Sequence, residues 1–337
     1  MSIERTRPGG ATPRPTARRT RIGATILLAL AATLTGSPSA VLEPPVAAAQ
    51  PITPPPPTAS WIETVNFYRG SSDLAPITED PALSAGAAKH IAYLVNTPAS
   101  LRTGQYASVH TENPASRWYS LGGADAAKSS NVLTATTQRE AIDNLMRAPF
   151  HAMGILRPAL QHSGFAAGGG WAMVDVIRGL GPALAPTTVT FPGPNAVTYL
   201  DSFGVESPDP REGCASDWQN FRGLPLFAML PADPPVGTTA TLTLPTGETI
   251  AQGTNLCVQT ANTFRSSDPV YWATGTQLLN NDNAVIVLPR ARLMPGLHTV
   301  TIRQPGRADV RWSFTVEQQA VPSTTATLPS GKMTVTP

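Results

Sequence analysis

Apolar residues recur with a helical period in three places before residue 160. Trp61, Val65 and Tyr68 fall on one face of a segment opened by Ser60, and Ser60 with Glu63 has the spacing of a capping box. Asp80-Pro81 offers an N-cap followed by a first-turn proline, and Leu83, Ala87, Ile91 and Leu94 then form an apolar stripe. Thr137 and Glu140 open a third helix, whose buried face takes Ile142, Leu145 and Met146. Arg139, Asp143 and Arg147 stand four residues apart and read as a charge ladder on its exposed face. Two pieces have strand character instead, Ser163 to Ala167 and Trp171 to Ile177, with a glycine run between them. Helices on both sides of a small sheet are the natural packing.

After Pro182 the helical period stops. Thr238 to Leu244, Ala284 to Leu288, Leu297 to Ile302 and Val310 to Val316 read as short strands, separated by turns such as Pro245-Thr246-Gly247 and Pro295-Gly296. The expected fold class is α+β, an α-β-α sandwich followed by an all-β sandwich.

Composition adds a compartment. The chain has 35 Pro and 27 Gly, with 6% aromatic and 14% charged residues, a balance that fits a loop-rich extracellular protein. Six arginines precede the apolar run Ile22 to Leu34, an order that reads as a secretory signal, and the run is too short for an ordinary membrane span. Ala47-Ala48-Ala49 offers a cleavage site, Pro38-Ser39-Ala40 an earlier one, and Arg18-Arg19 hints at the twin-arginine route. The expected organisation is a signal region at 1–49, a proline-rich linker at 50–57, a first domain at 58–181, a β-sandwich at 182–317 and a disordered tail at 318–337. Removing residues 1–49 takes six arginines and two glutamates from 24 basic and 22 acidic residues, leaving 18 and 20. The mature chain is then slightly acidic, without a basic stripe or a transmembrane span, which argues against nucleic acid as a partner. Cys214 and Cys257 are either a disulfide, worth roughly 3–4 kcal/mol by chain entropy, or two buried thiols.

The segment Met146-Arg147-Ala148-Pro149-Phe150-His151-Ala152-Met153-Gly154-Ile155-Leu156-Arg157-Pro158 resembles the motif S-P-G-H-R-x-N-I-L-N-P of bacterial members of the CAP superfamily. That superfamily comprises cysteine-rich secretory, antigen 5 and pathogenesis-related proteins. Asn66-Phe67-Tyr68-Arg69 resembles the family's N-x-Y-R, and Leu74 to Ile77 and Asp80 to Leu83 resemble the pieces that follow. The resemblance spans about residues 58–181. The module after it resembles the immunoglobulin-like modules appended to bacterial surface proteins. The resemblance implies a cleft holding His110 and His151. Better-known members add two glutamates there and can hold a divalent cation such as zinc. Here Ser130, followed by Asn131, stands at one glutamate position, and Ala148 is nearest to the other. Glu112, two residues from His110, would be a substitute, or else an ordinary loop carboxylate.

The chemistry that follows is limited. A structural zinc normally takes four protein ligands and a catalytic zinc three plus water, so two imidazoles alone bind metal weakly. His90 lies beside an apolar stripe and reads as structural. No G-x-S-x-G, H-E-x-x-H or P-loop occurs. Two functions remain. One is a secreted, non-enzymatic binding or scaffold protein of the cell envelope with an apolar or lipid ligand, by analogy with lipid- and sterol-binding members. The other is a metal-dependent hydrolase of extracellular peptides or wall material, with zinc on His110 and His151.

Overall fold

Three helices form where the sequence offers their caps. In α1 (Trp61–Ser71) Ser60 Oγ accepts from the Glu63 amide and Glu63 Oε2 accepts from the Ser60 amide, at 3.4 and 2.8 Å. In α2 (Pro81–Asn96) Asp80 Oδ1 accepts from the Ala82 amide at 2.7 Å. In α4 (Gln138–Met146) Thr137 Oγ1 accepts from the Glu140 amide at 3.1 Å. Between the last two lie α3 (Leu121–Ser129) and strand β2 (Ser130–Thr134). A further helix, α5 (Pro149–Ile155), follows α4 after a break. Pro149 accounts for the break, because it lacks an amide donor and is pre-set for the first turn of a new helix. The computed structural model describes residues 54–269 and 271–317. The expectations for 1–49 and for 318–337 therefore lie outside the described residues. All described residues belong to one compact unit.

The first sheet has β5 (Trp171–Asp175) at its centre, with β2 and β4 (Phe165–Gly168) antiparallel on either side. Successive residues of a strand point to opposite faces. Ala172 and Val174 accordingly join an apolar cluster with Trp61, Ile142 and Phe150, while Met173 joins Ala87, Ile91 and Leu94 of α2. These are the two interfaces of an α-β-α sandwich. Strands β1 (Thr78–Glu79) and β3 (His162–Ser163) form a short parallel pair beside it. Between β3 and β4 the chain runs so close to α2 that a Cβ on Gly164 would meet the Leu83 carbonyl carbon at 2.4 Å, so only glycine fits.

The rest is β-rich. One sheet is ordered β11 (Leu256–Gln259), β12 (Ala284–Pro289), β8 (Leu226–Met229), β6 (Val189–Phe191). The other is ordered β10 (Thr249–Ala251), β9 (Thr239–Thr243), β13 (Gly296–Arg303), β14 (Val310–Val316), β7 (Val197–Thr198). Strand β12 is buried along its whole length and reads as an unbroken apolar run, as a strand covered on both faces should. In β13 the inward positions His298, Val300 and Ile302 alternate with outward ones. Cys214 and Cys257 form a disulfide.

Two expectations need correction. The second region contains a helix, α6 (Trp272–Asn281), among its strands. The charge ladder of α4 is not solvated either. Arg139 is buried and bonds Asp143, Asp143 Oδ1 accepts from Tyr68 and Tyr199 at 2.8 and 2.6 Å, and Arg139 lies over the Tyr199 ring. Tyr199 comes from the β-rich region, which packs onto this face and takes it out of water. The main apolar cluster accordingly runs through both regions, from Trp61 to Val316.

Arg69 fixes the core of the first region. Its guanidinium is fully buried and donates to the carbonyls of Ala75, Ile155, Arg157 and Leu160 at 2.7–3.1 Å. Burial lowers its pKa to about 10. Three of the four bonds tie α1 to the last residue of α5 and the segment just after it, and so help set where α5 presents His151.

Candidate functional site

His110 lies on the turn between α2 and α3, and His151 on α5. The two rings line the same cleft, which consists of two adjoining pockets of about 470 and about 860 Å³. Both pockets share Ser108, His110, His151, Ser207 and Tyr271. Apolar walls flank this polar centre. Val132, Leu133, Trp171 and Val205 line the larger pocket, and Phe150, Val176, Pro208 and Leu278 the smaller. Ser130 and Asn131 line the smaller pocket as well.

Each ring is held by its Nδ1. That of His110 lies 2.8 Å from the Ala127 carbonyl oxygen at the end of α3. Burial, above all, pushes the His110 pKa below the usual imidazole value, and the nearby His151 and His90 push the same way against the pull of the Ala127 bond. The Nδ1 of His151 lies 2.8 Å from Oε2 of Glu206, whose carboxyl is fully buried. Glu206 Oε1 also accepts from the Phe150 amide at 3.4 Å. Burial raises the Glu206 pKa, and the His151 bond counters part of that rise. Asn131 Nδ2 donates to the His151 carbonyl at 3.0 Å, fixing α5 against β2. Ser130 is buried, and among the described residues its Oγ has no hydrogen-bond partner.

The cleft is composite. Residues 202–206 strap across the α4–α5 junction, where Arg147 donates to Ser202 and the Gly204 amide donates to the Arg147 carbonyl. At the other wall the Tyr271 and Ser108 hydroxyls are 2.5 Å apart, and the Tyr271 ring meets His110 edge-on. Arg157 grips Asp282, just past α6, through two bonds of 2.9 Å, and Phe150 packs on Phe264. Glu206, Tyr271 and α6 all lie beyond residue 181.

Glu112 is not part of this cleft. It is buried behind α3, with Oε1 2.9 Å from His90 Nδ1 and Oε2 accepting from the Ser120 amide at 3.1 Å. His90 Nε2 faces the Val109 carbonyl at 2.8 Å, so the buried His90–Glu112 pair braces the turn that carries His110. Glu112 is thus committed elsewhere and cannot reach toward His110 without dismantling that brace.

A cation at the histidine pair can be weighed by the donors present. Among the described residues the two Nε2 atoms have no hydrogen-bond partner, and their Nδ1 atoms are held as metal-ligating histidines usually are. Among the described residues, however, no group of three His, Cys, Asp or Glu is placed to hold a metal ion. Two imidazoles fall short of the three protein ligands of a catalytic zinc, so the donor set does not fit one.

Nothing in the sequence marks Glu206. It lies 55 positions past His151, in Gly204-Val205-Glu206-Ser207-Pro208, which carries no periodicity and no recognisable motif.

Residues 62–174, about a third of the chain, match the model of the CAP family, described as the cysteine-rich secretory protein family. No curated protein matches. Among solved structures, CopC from Methylosinus trichosporium OB3b is 11% identical, with a TM-score of 0.24 over 40% of this chain and 97% of that one. PcoC, a copper resistance protein from Escherichia coli, is 13% identical, with a TM-score of 0.22 over 40% of this chain and all of that one. Likeness at these scores carries no inference about this chain.

Proposed function

We propose that this CAP-domain protein is an exported binding protein that holds a small amphipathic molecule in its cleft without turning it over. The observation that carries this reading is the cleft itself. Its pockets have the size of small-molecule sites, and their walls mix apolar side chains with a few polar groups that converge at one place. The Cys214–Cys257 disulfide and the arginine-led apolar run at the N-terminus support export. The hydrolase reading has less support, because Glu112 is committed to His90 and the histidine pair lacks a third ligand.

The test is displacement of a neutral naphthylamine probe by amphiphiles, with native mass spectrometry for molecules that co-purify. Saturable binding is expected, at least about tenfold weaker in Leu133→Arg, which puts a charge on the apolar wall. A wild-type protein that binds neither probe nor amphiphile overturns the reading. Zinc calorimetry addresses the alternative. Micromolar binding lost in a His110→Ala/His151→Ala variant would reveal a third ligand and restore hydrolase chemistry.

A further inference from the structure

We infer that the molecule held in the cleft is a short extended peptide, which adds a strand to the free edge of β2. The inference rests on the reading that the cleft holds a small amphipathic molecule, and it names the class of that molecule. Successive side chains of a strand point to opposite faces of its sheet. Val132 accordingly joins Met173 and Ile91 on the α2 side, while Leu133 packs on the cluster that contains Leu145 of α4. Yet all five residues of β2 line the cleft, Ser130 and Asn131 in the smaller pocket and Val132, Leu133 and Thr134 in the larger. An unbroken run of residues lines one cleft only along the edge of its strand. That edge is free, because β2 stands at the end of the order β2, β5, β4.

The register fixes which backbone groups face the cleft. The Val176 amide donates to the Ser129 carbonyl at 2.9 Å, and the Ala135 amide to the Gly170 carbonyl at 3.0 Å. Between those bonds β2 and β5 pair without interruption, from Ser130 with Asp175 to Thr134 with Trp171. Residues that bond across an antiparallel ladder alternate with residues that do not. Asn131 and Leu133 therefore turn N–H and C=O toward β5, and Ser130, Val132 and Thr134 turn theirs outward. None of those outward groups has a hydrogen-bond partner among the described residues. Ser130 and Val132 are nonetheless buried, and so is the unpartnered Ser130 Oγ. Buried backbone groups are almost always paired. An open edge is usually blunted by a lysine, a proline or a bulge. β2 has none of these, and is instead recessed between the α2 and α4 layers, where one chain fits more readily than a second sheet. A peptide backbone repeats its donor and acceptor every second residue, about 6.8 Å along a strand, and so matches Ser130, Val132 and Thr134 in one pass. Its side chains would fall alternately toward Val109 on one wall and toward Leu145 and Ala148 on the other. Both walls are apolar there, so consecutive apolar residues should suit the site.

The experiment uses the full chain and a peptide Ser-Val-Leu-Val-Ser, acetylated and amidated so that the charges of Arg147 and Lys128 on the cleft lining meet no charged end. The peptide competes with the neutral probe beside two backbone N-methylated forms. One is methylated on its second and fourth residues, the other on its first, third and fifth. Each methyl group removes a donor and crowds its side of the strand, and only alternate amides face β2. One form should therefore compete at least about tenfold worse than the parent, and the other within about threefold of it. Saturation with the parent peptide should slow hydrogen exchange over residues 130–134 at least about fivefold and leave the central strand β13 unchanged. Equal effects of the two methylation patterns, no displacement by the parent, or unchanged exchange over 130–134 overturns this inference, while a bound probe leaves amphiphile binding standing. Absence of both probe binding and peptide protection overturns both.

Discussion

Single side chains carry much of the specification here, and they differ in how far they announce themselves. Arg69 is visible in sequence through its resemblance to a family motif, but its role is visible only in three dimensions. It replaces a carboxylate partner with four backbone carbonyls. Arg69→Met should leave those buried oxygens unpaired and destabilise the protein by at least about 3 kcal/mol in urea unfolding. His110 and His151 could be named from the sequence, whereas Glu206 could not, because a carboxylate in a loop has no period to betray it. His298 is a second hidden case. It is fully buried in β13 and stacked on Phe314, with Nδ1 facing the Gly296 carbonyl and Nε2 without a hydrogen-bond partner among the described residues. Burial, above all, lowers its pKa. The unfolded chain therefore takes up the proton first as pH falls below about 6.5. More protons bound in the unfolded state means stability that is complete above that value and declines below it, down to the depressed native value. The stability of His298→Phe should fall less steeply between about pH 7 and pH 5 than that of the wild type. Parallel slopes in chemical denaturation would exclude this role.

At the scale of elements, what could be read was what repeats or caps. α1, α2 and α4 have both an apolar stripe and a side-chain cap, and β9, β12, β13 and β14 have turn residues around β-branched runs. α3 is short and carries Gly122 and Gly123 where a stripe would be sought, and α6 opens with no capping side chain and contains Gly275. Tertiary packing explains the second glycine. A Cβ there would lie 2.5 Å from Phe264, the ring that packs on Phe150 beside His151. Alanine would favour an isolated helix by up to about 1 kcal/mol. In the protein, overpacking should dominate, so Gly275→Ala should destabilise by about 1–3 kcal/mol and weaken ligand binding through the displaced Phe264. A variant that melts higher than the wild type, with unchanged binding, would refute this.

For the molecule as a whole, the composition break near Pro182 is readable, but the way the two regions meet is not. Docking depends on pairs far apart in the chain, such as Tyr199 with Asp143 and Arg157 with Asp282, which no local pattern foretells. Because the described residues lie in one compact unit with an apolar cluster through both regions, unfolding should be a single transition. Aromatic fluorescence and far-ultraviolet circular dichroism should lose signal together, and a chain ended at residue 181 should show no cooperative transition. Two separated transitions, or a truncated chain that melts cooperatively, would contradict this.

The bond between His151 and Glu206 also bears on how such a gene can be rearranged. The ring belongs to the segment that matches the CAP family, while its carboxylate lies downstream of it. A crossover anywhere between the two codons would pair the histidine with a foreign successor and leave its Nδ1 without its acceptor. The two stretches must therefore be exchanged together, and a chimera is expected to keep this cleft only when no junction falls between the segment that matches the CAP family and Leu278.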